Sequence, residues 1–180
     1  MKYFDLSFWA LFGMIIGSFV NVCTVRLPLE SSNKKRRLHL FNSQDTPPYL
    51  RHLIKNQKIS LFLPARSFCF WCGHQLNWLE NIPIFSYLFC KGHCNKCKNR
   101  IGQKIFWTEA IHGLFYLGNG WLLNGFLYPL ASNICFSYLW VLCHCWYIKQ
   151  LRNKIIFFGT IIVFCSSSVY SLLIINWKNI

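Results

Sequence analysis

Acid is what this chain has least of. Its carboxylates are Asp5, Glu30, Asp45, Glu80 and Glu109, and none follows Glu109 in 180 residues. Water activation by two carboxylates that share a proton therefore finds no acidic pair in the C-terminal stretch. Charge of either sign is scarce, at 13% of residues against roughly 25% in soluble domains. That excludes an ordinary soluble globule. No Gly-rich loop of the dinucleotide-binding type is present, and nothing repeats except a pair of cysteine knuckles. No small-residue cleavage signal follows the first apolar run. That run reads as a retained helix rather than a removable signal peptide.

Apolar residues make up 54% of the chain, and Phe (17), Trp (8) and Tyr (8) are abundant. Rings of this kind settle at membrane–water interfaces. Four apolar segments stand out: 6–25, 105–126, 128–148 and 155–176. A span needs roughly 20 apolar residues, which the first supplies without a charge. The second and third are diluted by Asn119, Asn124, Asn133 and His144. Of 19 Lys and Arg residues, 14 lie in 26–104 and three (Lys149, Arg152, Lys154) in the 149–154 loop. With four spans these two stretches share a side, which the positive-inside rule makes cytoplasmic, with both termini outside. Topology thus accounts for most of the net charge of +14. The KKRR run at 34–37 reads as a juxtamembrane patch on anionic lipid, and nucleic acid is not expected as a partner. The expected fold class is an α-helical polytopic membrane protein. It divides into a first transmembrane helix (1–27), a basic cytoplasmic loop (28–104) and a membrane domain of about three helices (105–180). Pro47-Pro48 marks a loop in the middle stretch.

Ten cysteines could suggest a secreted disulfide scaffold, but their placement argues otherwise. Cys23, Cys135, Cys143, Cys145 and Cys165 lie in apolar runs, where a thiol acts as a small hydrophobe. Cys90 stands alone. Cys69, Cys72, Cys94 and Cys97 form two Cys-x-x-Cys pairs 21 residues apart. Each such turn offers two thiolates, and four make a tetrahedral zinc site. The spacing slightly exceeds the common window. Gly73 follows the first pair, where a tight turn wants φ > 0. His74 and His93 are possible substitute ligands. A site closed by four cysteines is structural. It would fold a loop (the clip, 69–97) too short of core residues to fold alone, in a reducing compartment.

A longer string of residues carries a resemblance. It runs Gly17-Ser18-Phe19-Val20-Asn21, Arg26-Leu27-Pro28, Cys69-x-x-Cys72-Gly73-His74, Glu80-Asn81-Ile82-Pro83-Ile84-x-Ser86-Tyr87, Gly92-His93-Cys94-x-x-Cys97, then Glu109. Over about residues 10–115 this resembles the N-terminal portion of the type IV prepilin leader peptidases/N-methyltransferases. The resemblance implies a multi-pass enzyme of the bacterial inner membrane, serving type IV pilus or type II secretion systems. Its substrates would be prepilins or pseudopilins. It also implies two activities: aspartic cleavage of a basic leader, and methylation of the new N-terminal amine from S-adenosylmethionine. The family links its cysteine-bearing region to methylation.

The chain departs from that pattern. The IPD-like and Gly-x-Gly-Asp-x-Lys-like elements of the peptidase half are missing, and His93 stands where the family usually has Lys or Arg. The expectation is a truncated or degenerate member that cannot cleave prepilin alone. Methylation needs only proximity and a neutral amine. An α-amine is partly neutral near pH 7, so one carboxylate could accept its proton. By resemblance the methyltransferase candidates are Glu80, Asn81, Gly92 and Glu109. Glu80 reads equally as a surface acid before a turn, and Glu109 as a helix-start acid. Gly17, Ser18 and Asn21 share one helix face. They read either as helix packing through small residues or as a groove for a pilin stem. A noncatalytic membrane module that binds pilin-like substrates, or the remnant of a disrupted gene, stands beside the enzyme reading.

Overall fold

The computed structural model describes residues 2–30, 42, 46–56, 59–123, 125–145 and 159. KKRR, Asp45, the 149–154 loop and the fourth apolar segment apart from residue 159 lie outside them. The first apolar segment belongs to a longer helix, α1 (Lys2–Glu30). Its stretch Leu6–Glu30 is, among the described residues, the one long and apolar enough to cross a membrane. The helix runs beyond the end expected from hydropathy, through Arg26-Leu27-Pro28. Pro28 falls in the closing turns, and Arg26 is held by partners described below.

Two further helices match the second and third apolar segments: α4 (Gln103–Leu122) and α5 (Leu127–Cys145). The α1–α4 pair is antiparallel. Asn21 meets Ile105, Gly17 meets Glu109, and Gly13 meets His112 and Tyr116. A Cβ added at Gly13 would lie 2.5 Å from the His112 carbonyl oxygen, and one at Gly17 would lie 2.9 Å from the Glu109 Cα. Glycine four residues apart is what lets two backbones approach this closely. Helix α5 returns alongside. Phe126, just before it, packs on Trp9 with ring centres 5.3 Å apart, and Cys145 at its far end packs against Leu27. Tyr116 hydroxyl bonds Ser137 at 2.7 Å, and Asn119 donates to Asn133 Oδ1 at 2.7 Å. These polar ties join α4 to α5.

The cysteine region sits at the end of the bundle where α1 finishes and α4 begins. Pro47-Pro48 does not simply mark a loop, for Pro48 opens a helix, α2 (Pro48–Lys55). Proline suits a first helical position because its missing N–H would have no intrahelical partner there. Leu53 and Ile54 of α2 join Leu29, Ile59 and Phe68 in a small core. Leu50 N–H, otherwise an orphan of the first turn, donates to Phe70 O at 3.1 Å. A 3₁₀ turn (Leu79–Asn81) and a short helix, α3 (Phe85–Phe89), complete the region. Neither buries a residue.

Candidate metal centre and its junction with the helices

Two turns of identical construction present the sulfurs. In the first, Cys69 N–H donates to His74 O and Gly73 N–H to Cys69 O, both at 2.9 Å, and Phe68 bridges Gln75. In the second, Cys94 N–H donates to Asn99 O and Lys98 N–H to Cys94 O at the same distance, and His93 bridges Arg100. The fifth position takes positive φ in both, at Gly73 (φ 73) and Lys98 (φ 58). Glycine adopts it freely, and lysine does so at a cost. A Cβ at Gly73 would also meet the Tyr49 ring at 2.5 Å.

All four thiols are free, and the four sulfurs lie within 4.8 Å of one another. Cys69 and Cys97 sulfurs are 3.7 Å apart, and those of Cys72 and Cys94 are 3.9 Å apart. A tetrahedron with metal–sulfur bonds of ~2.3 Å has edges of about 3.8 Å, so the donor set fits a zinc-like ion. The Asn99 backbone N–H draws the Cys97 thiol down to about 7. Burial pushes Cys69 up to about 12. His74 and His93 are engaged elsewhere: His74 Nε2 lies 3.1 Å from Glu80 Oε2, and His93 Nδ1 donates to Lys91 O at 2.6 Å.

Glu80 ties the two turns together. One oxygen accepts from Asn77 N–H at 2.9 Å and from His74, and the other accepts from Asn95 Nδ2 at 2.7 Å. The Asn77 amide, helped by Asn95 and His74, holds its carboxyl below the usual range. Such a carboxylate is a weak base, already satisfied by donors. Asn81 is exposed in the 3₁₀ turn. Gly92, at φ 69, is buried, and a Cβ there would meet the Tyr87 hydroxyl at 2.8 Å.

Glu109 lies elsewhere, buried between α1 and α4. Its Oε2 accepts the Ile84 N–H at 2.7 Å, and Ser18 of α1 donates to the same carboxyl. Ile84 stands at φ 62, ψ −53, with Phe85 N–H donating to Pro83 O at 2.6 Å. That is a γ-turn of the rare, strained kind, on a β-branched residue for which positive φ is an outlier. Gly17, Ser18 and Asn21 all face this part of α4. Gly17 packs on Glu109, and Asn21 Nδ2 donates to Ile105 O at 3.2 Å.

Arg26 and Ile84, quoted in the motif string without a role, and Asn95, outside it, are participants to which sequence reasoning assigned no part. Arg26 is buried, donates to Leu61 O (3.2 Å), Pro64 O (2.7 Å) and Arg66 O (3.4 Å), and lies 5.5 Å from the centre of the Phe68 ring. A charge at the close of an apolar helix was the available signal for Arg26. Nothing local marked the other two.

The family of bacterial peptidase A24 N-terminal domains matches residues 11–123. A prepilin leader peptidase/N-methyltransferase of Dichelobacter nodosus is 30% identical over 76% of this chain and 46% of its own length. Relatives of the same description from Aeromonas salmonicida and Pseudomonas aeruginosa are 35% and 36% identical, over 62% and 52% of this chain and 36% and 30% of theirs. The chain thus spans less than half the length of these relatives. No solved structure matches.

Proposed function

The chain belongs to the family of bacterial peptidase A24 N-terminal domains, and on that premise we propose that it serves the methylation side of prepilin processing. One observation carries this reading. The matched residues, 11–123, run from within α1 through the cysteine region to the end of α4, so the resemblance covers a structural unit with its candidate metal centre. The relatives sharing that unit are named for both leader cleavage and N-methylation.

In this reading Cys69, Cys72, Cys94 and Cys97 hold a structural zinc ion. The metal leaves no open position and performs no chemistry; it fixes the loop between the two turns. S-adenosylmethionine supplies the methyl group. The protein's part is to bring a neutral N-terminal amine to it. Asn81, exposed beside the Glu80 tie, is the contact this loop offers a substrate, and the buried Gly92 shapes the turn behind it. The chain crosses the inner membrane several times, with 28–104 on the cytoplasmic side and 1–27 and 105–180 in the bilayer. Prepilins or pseudopilins are the substrates. Leader cleavage is not assigned to these residues, because Glu80 and Glu109 are each held by donors from other residues. No other acid lies beyond Asp5, Glu30 and Asp45.

Membranes containing the chain, given methyl-labelled S-adenosylmethionine and a pre-cleaved pilin peptide, should label that peptide. Membranes with Cys94→Ser should not. A second reading, a substrate-binding module without catalysis, is favoured by the engagement of both candidate carboxylates in structural hydrogen bonds. Co-purification of the peptide without methyl transfer would select it. A prepilin processed by this chain alone would overturn the assignment of cleavage elsewhere.

A further inference from the structure

Depth along α1 sets a constraint on the loop between the two cysteine turns. Ile84 is bonded to Glu109, and Glu109 lies against Gly17 and Ser18 of α1. The uncharged run of α1 continues to Val25, and Arg26 marks its end. At 1.5 Å per residue, Ser18 sits about 10 Å inside that end. The γ-turn at Ile84 is therefore level with the apolar part of the helix, not with its polar exit.

The surface at that level is apolar and outward. Ile82, Phe85, Leu88 and Phe89 are exposed at three- and four-residue spacing, Phe89 by 83%. Tyr87 turns inward, its ring 5.4 Å from Phe106. On α4, Trp107, Ile111 and Leu114 are also exposed. Directly after the segment come the exposed Lys91, Lys96, Lys98, Arg100 and Lys104. Non-helical backbone at membrane depth is tolerated only where its polar groups are satisfied within the protein. The Ile84 N–H meets that condition through a buried carboxylate.

We propose that Ile82–Phe89 dips into the bilayer leaflet on the cysteine side. Ile82, Phe85, Leu88 and Phe89 lie among acyl chains, and the basic residues that follow lie at the phosphates. The charge order, apolar segment then cations, is that of an interfacial anchor. The buried Glu109 carboxylate then holds a strained turn in place at a depth that water does not reach.

This inference rests on α1 spanning the bilayer, and its test reads both. The full chain is placed in vesicles of phosphatidylethanolamine and phosphatidylglycerol containing a phosphatidylglycerol with a photoreactive group at the acyl-chain end. After irradiation the adducts are mapped by mass spectrometry. Adducts should fall on α1 and on 82–89. Adducts on α1 with none on 82–89 would overturn the proposal while leaving the span intact, whether water or a protein partner covers the segment. Absence from α1 would overturn the span and the proposal together. In the variant F85D/F89D, labelling of 82–89 should fall about tenfold with α1 labelling unchanged. Equal labelling of the variant would show that these side chains do not face lipid, and would also overturn it.

Discussion

The helix pair and the cysteine region are neighbours built on opposite principles. Between α1 and α4 apolar side chains are plentiful, and the contact is made where they are missing, at Gly13 and Gly17. In the cysteine region buried apolar residues are few: Leu29, Leu53, Ile54, Ile59 and Phe68 are its core. There four sulfurs cluster, and Glu80 and the Arg26 guanidinium on three carbonyls tie the chain. Close packing needs no partner outside the chain. A four-sulfur cluster that holds the proposed metal would hand the folding of its region to metal supply.

The sharpest way to break that contrast is to remove one ligand. Zinc binding to structural sites is worth about 10–16 kcal/mol, more than most whole domains retain. Cys94→Ser should lose bound zinc on metal analysis and open 60–100 to protease, while α1 and α4 stay protected. Retained metal, or loss of both regions together, would erase the distinction. Next comes the helix pair. Gly13→Val drives a side chain into the His112 carbonyl and should cost about 3 kcal/mol. It should lower the thermal midpoint in detergent with zinc content unchanged.

The two turns allow a finer comparison at a single position. Gly73→Ala puts a Cβ at φ 73 and into the Tyr49 ring, and should cost about 2 kcal/mol. Lys98→Gly relieves φ 58 but frees the unfolded chain. Its net effect should lie between zero and about 1 kcal/mol of stabilisation. Chelator competition on the two variants reads the difference. Equal losses would mean that the turns are not equivalent.

What the sequence made legible follows the range of the interaction. The sulfur cluster was readable because each Cys-x-x-Cys turn is a local object, and Gly73 because its turn is local too. The first span was readable from hydropathy, but its continuation past Arg26 was not, since that depends on carbonyls 35 to 40 residues away. The same holds for Glu109. As a residue in a helix pattern it looked like a start-of-helix acid, whereas its partners are Ile84 and Ser18. Helix α2 was hidden because Pro47-Pro48 signals a turn and an N1 position with equal force. No residue type near Ile84 announces a positive φ; a buried acceptor holds it there.

The smallest effect asks whether polar ties add anything once metal is bound. Glu80 joins the turns through His74 and Asn77 on one side and Asn95 on the other. Its carboxyl is held below the ordinary 4.5, first by the Asn77 amide. A carboxyl lowered in the folded state stabilises that state above its unfolded value, and the benefit fades as pH falls through the folded value. Glu80→Gln removes the charge and keeps the shape, so the wild type should exceed it by less than about 1 kcal/mol at pH 7. Zinc release on acidification should begin at a slightly higher pH in the variant, and the two curves should converge at the acid end. A variant curve that overlies the wild type throughout would show that the sulfurs alone join the turns. If Glu80→Gln then still abolished methyl transfer, Glu80 would belong to catalysis rather than to folding.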